Sequence, residues 1–291
     1  RRSPMKVAVI GHVEMAEFAL VERVPEPGDI VHASETWELP AGGAAVAAVQ
    51  IARLGGGCLF MTAIGSDSRG DLVVPGLTEM GLHAEAARRP SDQRRAFVYL
   101  DSEGERTITT IGERVGPEGD DDLPWEELEQ ADALYVTAAD PEVLRKARAA
   151  KKLVATVRVG KALAEAGVQL DVLVASANDK GETYAPGDIE PAPRWVVRTD
   201  GSRGGSLETA DGTTTMWKSF PPTGPKGDAY GAGDSFAGGI TFGLGSGLPI
   251  EKAISVGAFC GSRAIRGRGP YAGQASQEEF RAWHESQPLS P

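Results

Sequence analysis

The stretch "PPTGPKGDAYGAGDSFAGGITFGLGSG", Pro221 to Gly247, opens as a Pro/Gly loop and then changes period. Phe236, Ile240 and Leu244 follow i, i+4, i+8 spacing, which predicts a helix with Asp234 at or just before its N-terminus. At such an end the free backbone N–H groups of Gly231, Ala232 and Gly233 can face an anion, aided by the helix dipole. Glycines let that anion approach the backbone closely. The same dipole favours the ionised form of Asp234. A carboxylate beside an anion hole suits phosphoryl transfer: the carboxylate takes the proton of an attacking hydroxyl, and the amides hold charge spreading over the moving phosphoryl group. The plainer alternative makes Asp234 an N-cap and the glycines a tight turn. Local chemistry leaves both open.

Two familiar nucleotide motifs are excluded on the text. A dinucleotide fingerprint needs GxGxxG just after a strand, whereas Gly231-x-Gly233 has Phe236 in the third glycine's place and follows a Pro-rich loop. "VAVIGHVEM" is a strand followed by a single glycine. A P-loop needs GxxxxGK[ST], but "ATVRVGKA" has Ala155 and Ala162 where Gly and Ser/Thr belong.

Outward from this stretch, short β-branched runs alternate with helical patterns. "KVAVIG", "CLFMTAIG", "ADALYVTAA", "KKLVATVRV", "LDVLVASA" and "RWVVRTDG" read as strands. "GGAAVAAVQIARLGG" and "PEVLRKARAAK" read as helices, as does "GDLVVPGLTEMGL", which Pro75 is expected to interrupt. This alternation predicts a mostly parallel sheet covered on both faces. Two regions break the rhythm, "ALVERVPEPGDIVHASETWELP" and "RAFVYLDSEGERTITTIG", the second a hairpin turning at "DSEGE". They predict a small antiparallel layer, either decorative or a lid over the carboxyl ends of the parallel strands, where ligands bind in open α/β sheets. No linker or repeat divides residues 1–291, so a single domain with lid segments near 13–40 and 92–112 is expected.

Composition narrows the function. The chain has 291 residues, 41% hydrophobic and 24% charged, ordinary for a soluble globular protein. Its net charge of −11 disfavours nucleic-acid binding, since "RKARAAKK" is the largest basic cluster and reads as the solvated face of a helix. The apolar runs are too short to cross a bilayer. Without a signal-peptide pattern, a cytoplasmic location is expected; Met5 reads as a natural start and Arg1–Pro4 are set aside. Cys58 and Cys260 lie in apolar surroundings and read as buried, inert thiols. His12, His32, His83 and His284 show no metal-ligand spacing.

"DAYGAGDSF" (Asp228–Phe236) resembles the C-terminal signature D-T-x-G-A-G-D-x-F of the ribokinase-like (PfkB) carbohydrate kinases, with Ala229 replacing threonine. The resemblance implies Asp234 as catalytic base and Gly231 to Gly233 as anion hole. "RTDGSRGG" resembles the family's T-x-G-x-x-G element through Thr199, Gly201 and Gly204, which implies contact with ATP phosphates. "PAGGAAVAAVQIARLGG" resembles the N-terminal signature, implying that Gly42 and Gly43 lie beside the sugar; Ala47 stands where the family often has asparagine. An acidic residue after the first strand binds the sugar in relatives, here Glu17 or Glu14, and Asp140 either faces substrate or caps a helix. The family's N-x-x-E element is degraded in "DVLVASANDKGETY", leaving Asp179 or Glu182 to hold hydrated Mg²⁺ through water, or as solvated loop acids.

Extending from Lys6 to about Gly273, the resemblance implies a three-layer α/β/α sandwich with a β-strand lid. It implies ATP and Mg²⁺, a monovalent cation as a further candidate, and a homodimer. The leading expectation is phosphorylation of a hydroxymethyl group of a sugar or sugar derivative. The alternatives are a nucleoside kinase of the same superfamily, whose base Trp37, Phe97 or Tyr99 would stack, and a non-catalytic sugar or nucleotide sensor. A dinucleotide-dependent oxidoreductase ranks last.

Overall fold

The computed structural model describes residues 5–222, 224 and 227–287. Arg1–Pro4, set aside above, lie outside these, as do Thr223, Pro225 and Lys226 of the Pro/Gly loop. The first half of the chain runs β1 (Lys6–Ile10), β2 (Glu14–Leu20), β3 (Glu35–Ala41), α1 (Gly43–Arg53), β4 (Gly57–Ile64), α2 (Ser68–Glu79) and β5 (His83–Arg88). A hairpin follows, β6 (Arg95–Leu100) and β7 (Arg106–Ile111), then β8 (Ala133–Val136), α3 (Pro141–Ala147), β9 (Leu153–Thr156) and α4 (Gly160–Ala166). The remainder is β10 (Val172–Ser176), β11 (Trp195–Thr199), β12 (Gly205–Thr209), β13 (Thr214–Trp217), α5 (Ala232–Gly245), α6 (Ile250–Ala264) and α7 (Gln277–Ser286).

Among the described residues these strands form two sheets. The larger has the order β13-β12-β11-β10-β9-β8-β1-β4-β5, parallel throughout except where β12 and β13 return antiparallel at one edge. Alternate residues of β1 serve opposite faces, as a pleat requires. Val7 and Val9 join α1, α2, α5 and α6 in one core, while Ala8 and Ile10 join α3 and α4 in the other. Burial on both faces is why these strands read as continuous apolar runs. Strand order reverses at β1, which lies between β4 and β8, and such a switch point opens a crevice at the carboxyl ends of the strands.

The second sheet, β3-β2-β6-β7, acts as the lid. Its inner face is a small cluster of Ala16, Phe18, Ala41, Ala96, Val98, Leu100 and Tyr230. Both expected lid segments contribute, the first through β2 and β3 and the second through the hairpin turning at Asp101–Glu105. The α/β/α sandwich with a β lid is therefore the observed architecture.

Two local expectations are corrected. α2 runs through Pro75 without a break. A mid-helix proline costs about 3 kcal/mol, and the full burial of Val73 and Leu77 on this helix offsets it. "RKARAAKK" is helical only to Ala147. Arg148 turns inward, donating to Asp171 at 2.9 Å, so the cluster is not one solvated helix face. Cys58 and Cys260 are buried, and desolvation pushes the Cys58 thiol up to about 12, as an inert thiol requires.

Candidate functional site

Asp234 occupies the third position of α5, and the N-cap is Gly231 in the left-handed region, φ 76°. Asp234 therefore does not cap its helix; its carboxylate is free for another task. Gly231 makes the tight turn that an L side chain resists. Gly233 is open: a Cβ there meets nothing within 4 Å. The later glycines have a packing reason. A Cβ on Gly238 would stand 2.7 Å from the Ala47 carbonyl of α1, and one on Gly239 2.8 Å from Gly257 of α6. Ala47 itself is fully buried on that contact.

The N-terminus of α1 presses on Asp234. A Cβ on Gly43 would lie 2.6 Å from Asp234 Oδ1, so only glycine lets α1 approach the carboxylate this closely. Gly42, φ 96°, faces His12, with Nε2 3.3 Å from its virtual Cβ. Asp234, His12, Gly42 and Gly43 thus meet at the switch point. Asp234 keeps some surface toward the cleft, yet crowding by protein atoms desolvates it, and its carboxyl is pushed up to about 6. Glu182 pushes in the same direction, while Arg158, Arg106 and Arg114 oppose it.

His12 is buried, and burial followed by the charges of Arg114, Arg94 and Arg158 drives its pKa well down. Its Nδ1 accepts from Arg114 Nη2 at 3.0 Å; arginine can only donate, so the imidazole is neutral. Glu14 accepts from Arg94 Nε at 3.0 Å and lies 3.5 Å from the Tyr230 hydroxyl, on the lid face turned toward residue 230. Glu17, three residues along β2, lies on the opposite face, where it pairs in register with Glu38. The structure thus brings Glu14, not Glu17, to the side of Asp234.

Both oxygens of Asp140 are engaged structurally: Oδ1 accepts from Val143 N at 2.7 Å as the cap of α3, and Oδ2 from Gly119 N at 3.1 Å. Asp179 and Glu182 are both tied to Arg158, the latter at 2.9 Å, and Glu182 also accepts from Ser176 N at 2.8 Å. No group of three His, Cys, Asp or Glu side chains able to hold a metal exists among the described residues. Any magnesium here would have to be carried largely on phosphate oxygens and water, a coordination that ion accepts readily. Of the two acids, Glu182 is the one that acts electrostatically on Asp234.

Thr199 ends β11 opposite Ser176, and Gly201 follows in a 3₁₀ turn with Asn178 Nδ2 3.8 Å from its virtual Cβ. A Cβ on Gly204 would strike the Trp217 carbonyl oxygen at 2.1 Å, so this glycine is required for packing whatever else it does. In the lid, Trp37 stacks on Phe18 at 4.9 Å on the inner side, while Phe97 and Tyr99 meet edge-on, at 5.0 Å, on the outer side.

Several residues escaped the sequence reading. Asp228, first residue of the signature, is buried and accepts from Tyr230 N at 2.8 Å and Gly269 N at 2.6 Å, clamping the glycine turn onto the loop after α6. The hairpin tip also lands here, with a virtual Cβ on Gly104 (φ 77°) 2.4 Å from the Gly227 carbonyl oxygen. Arg94, Arg106, Arg114 and Arg158 had no spacing to betray them.

Comparison with known proteins places the chain in a family. Residues 5–186 and 174–277 match the family described as pfkB family carbohydrate kinase. Ribokinase of Staphylococcus aureus (strain COL) is 27% identical over 110 residues, 37% of this chain and 36% of that protein, so the chain spans about a third of this relative. Ribokinase of Arabidopsis thaliana is 22% identical over 299 residues, 90% of this chain and 76% of that protein. A solved Arabidopsis thaliana ribokinase, complexed with ribose and ATP, has a TM-score of 0.75 at 18% identity, covering 98% of this chain and all of that one, a likeness of fold. With a family match that spans nearly every described element, the chain belongs to the pfkB family of carbohydrate kinases.

Proposed function

We propose that this protein, acting as one kinase domain, transfers the γ-phosphoryl group of ATP to a hydroxymethyl group of a sugar or sugar derivative. The single observation that carries this reading is Asp234: a carboxylate freed from capping, at an open glycine helix start, with Gly43 of α1 against it. In the step, the acceptor hydroxyl gives its proton to Asp234, and its oxygen bonds to the γ-phosphorus. The bond from that phosphorus to the β–γ bridging oxygen breaks, and ADP leaves. Gly231 and Gly233 would offer their amides to the transferring group, where a helix start favours negative charge, and the Ala232 amide would join them on giving up its long, 3.4 Å turn bond to the Ala229 carbonyl. A carboxyl with pKa about 6 is a stronger base than an ordinary aspartate and is still ionised at neutral pH.

Thr199, Gly201 and Gly204 line the ATP side, and bound ATP in the Arabidopsis relative supports that co-substrate. Magnesium bound with ATP would supply charge neutralisation at the phosphates, with Glu182 and Asp179 reaching it through water. Gly42, Gly43 and Glu14 bound the acceptor pocket, and the lid excludes water once closed. A second copy pairing through the lid, and a monovalent cation, belong to the same reading. The test is an ADP-release assay with Mg²⁺-ATP across pentoses, hexoses, sugar acids and nucleosides. Acceptor-dependent ADP release is expected; binding in a thermal-shift series without any release would favour a sensor instead.

A further inference from the structure

In a chain of net charge −11, Arg94, Arg106, Arg114 and Arg158 gather at the cleft among the acids Glu14, Asp179, Glu182 and Asp234. Arg94, Arg114 and Arg158 all act on buried His12. Two of them have carboxylate partners: Arg94 pairs with Glu14 at 3.0 Å, and Arg158 with Asp179 and Glu182. Arg114 differs. Its Nη2 donates to His12 Nδ1 at 3.0 Å and to the Thr137 carbonyl at 3.1 Å, both neutral acceptors. Among the described residues no carboxylate stands within ion-pair distance of it. Its side chain is partly surrounded by protein yet keeps exposed surface, and Thr137 and His12 place it at the carboxyl ends of β8 and β1.

Its position relative to the base is fixed by contact. Arg114 bonds His12, His12 abuts Gly42, and Gly43 abuts Asp234. A guanidinium carries five donors in a planar fork suited to carboxylate or phosphate. Arg94 and Arg158 are already balanced by their own carboxylates, so of these three arginines Arg114 is the one whose charge an incoming anion would pair. A neutral acceptor would leave the Arg114 charge desolvated and unpaired when the lid closes.

We propose that the acceptor carries an anionic group, a carboxylate or a phosphate, which Arg114 receives between Arg94 and Arg158 while the acceptor's hydroxyl faces Asp234. The competing role for Arg114 is a strut that ties the exit of β7 to the main sheet. The inference rests on the kinase reading only for the hydroxyl; the anion site stands on its own geometry.

Calorimetry on the full chain separates these. The probes are gluconate and 2-keto-3-deoxygluconate as sugar acids, fructose 1-phosphate and fructose 6-phosphate as sugar phosphates, and ribose, fructose and adenosine as neutral ligands. Each is titrated into wild type, Arg114→Gln and Arg114→Lys, with ADP release measured in parallel. At least one anionic probe is expected to bind more tightly than every neutral one, and which class does so identifies the group. Arg114→Gln should cut the anionic-over-neutral preference by about 30- to 100-fold, the worth of a charge-assisted pair. Arg114→Lys should fall between. Neutral probes binding best, or Arg114→Gln weakening both classes equally, overturns the anion site and leaves the kinase reading intact. Anionic binding without ADP release does the reverse. Should Arg114→Gln fail to fold, the wild-type ranking still decides.

Discussion

The two sheets of this molecule are built on opposite terms. β8 and β9 of the large sheet are buried at every residue, whereas all six residues of β7 in the lid are exposed. The large sheet is gripped by two layers of helices; the lid rests on one small cluster of side chains. Chemistry follows the same division. Asp234 and the helix-start amides belong to α5 and its cap, packed between α1 and α6. Three of the four cleft arginines, Arg94, Arg106 and Arg114, flank or begin the lid hairpin strands. A one-faced layer opens at lower free energy than a two-faced core. On the proposed reading, the rigid part would hold the reacting groups, and the movable part would bring charge and exclude water.

Changes in the core should strike the chemical step, and the largest effect is expected there. Asp234→Asn should lower kcat by about 10³-fold or more, the scale of a positioned general base with its electrostatic role. Calorimetric ATP binding should persist; near-normal turnover would sink the mechanism. Gly43→Ala places a methyl 2.6 Å from Asp234 Oδ1 and should cost about 10²-fold in kcat through a displaced carboxylate. A variant within twofold of wild type would show that the contact has no catalytic consequence.

Changes in the lid should instead alter access. Gly104→Val at φ 77°, with Cβ 2.4 Å from the Gly227 carbonyl oxygen, should lift the hairpin tip. About a 10-fold higher acceptor KM is expected, together with more ADP released per phosphorylated product. Unchanged coupling would remove the hairpin tip from the closing mechanism.

Acidity sharpens the contrast further. With Asp234 at about 6, log kcat/KM should climb with unit slope up to that pH and then level, because only the ionised form accepts the proton. A profile flat from pH 5 to 7 would assign the base elsewhere. The smallest expected effect concerns stability. The folded carboxyl holds its proton to about pH 6, while the unfolded one releases it near 3.8. Stability therefore falls as pH rises between those values, and Asp234→Asn should recover on the order of 1–3 kcal/mol above pH 6, toward the lower end where cleft water screens the charge. Little difference is expected at pH 4, and an equal gain at both pH values would point to a cause other than titration.

The division also explains what could be read in advance. "KVAVIG" and "LDVLVASA" announce β1 and β10 because burial on both faces demands unbroken apolar runs. "HAEAAR", which forms β5, does not: it is alanine-rich at a sheet edge and carries no strand pattern. Glu14 and Glu17 look alike in the chain, and only the registration of β2 turns one toward Tyr230 and the other toward Glu38. Pro75 misled because propensity is local, while Val73 and Leu77 answer to the core.

By itself the sequence determined the α/β alternation, the hairpin at Asp101–Glu105 and the glycine-rich helix start beneath Asp234, since strand period, turn residues and capping act over a few neighbours. Only the tertiary structure decided that Gly43 touches Asp234, that Asp228 clamps the turn and that Arg114 meets His12. Those pairs are separated by tens to hundreds of residues, and packing of whole elements, which no short-range pattern records, is what joins them.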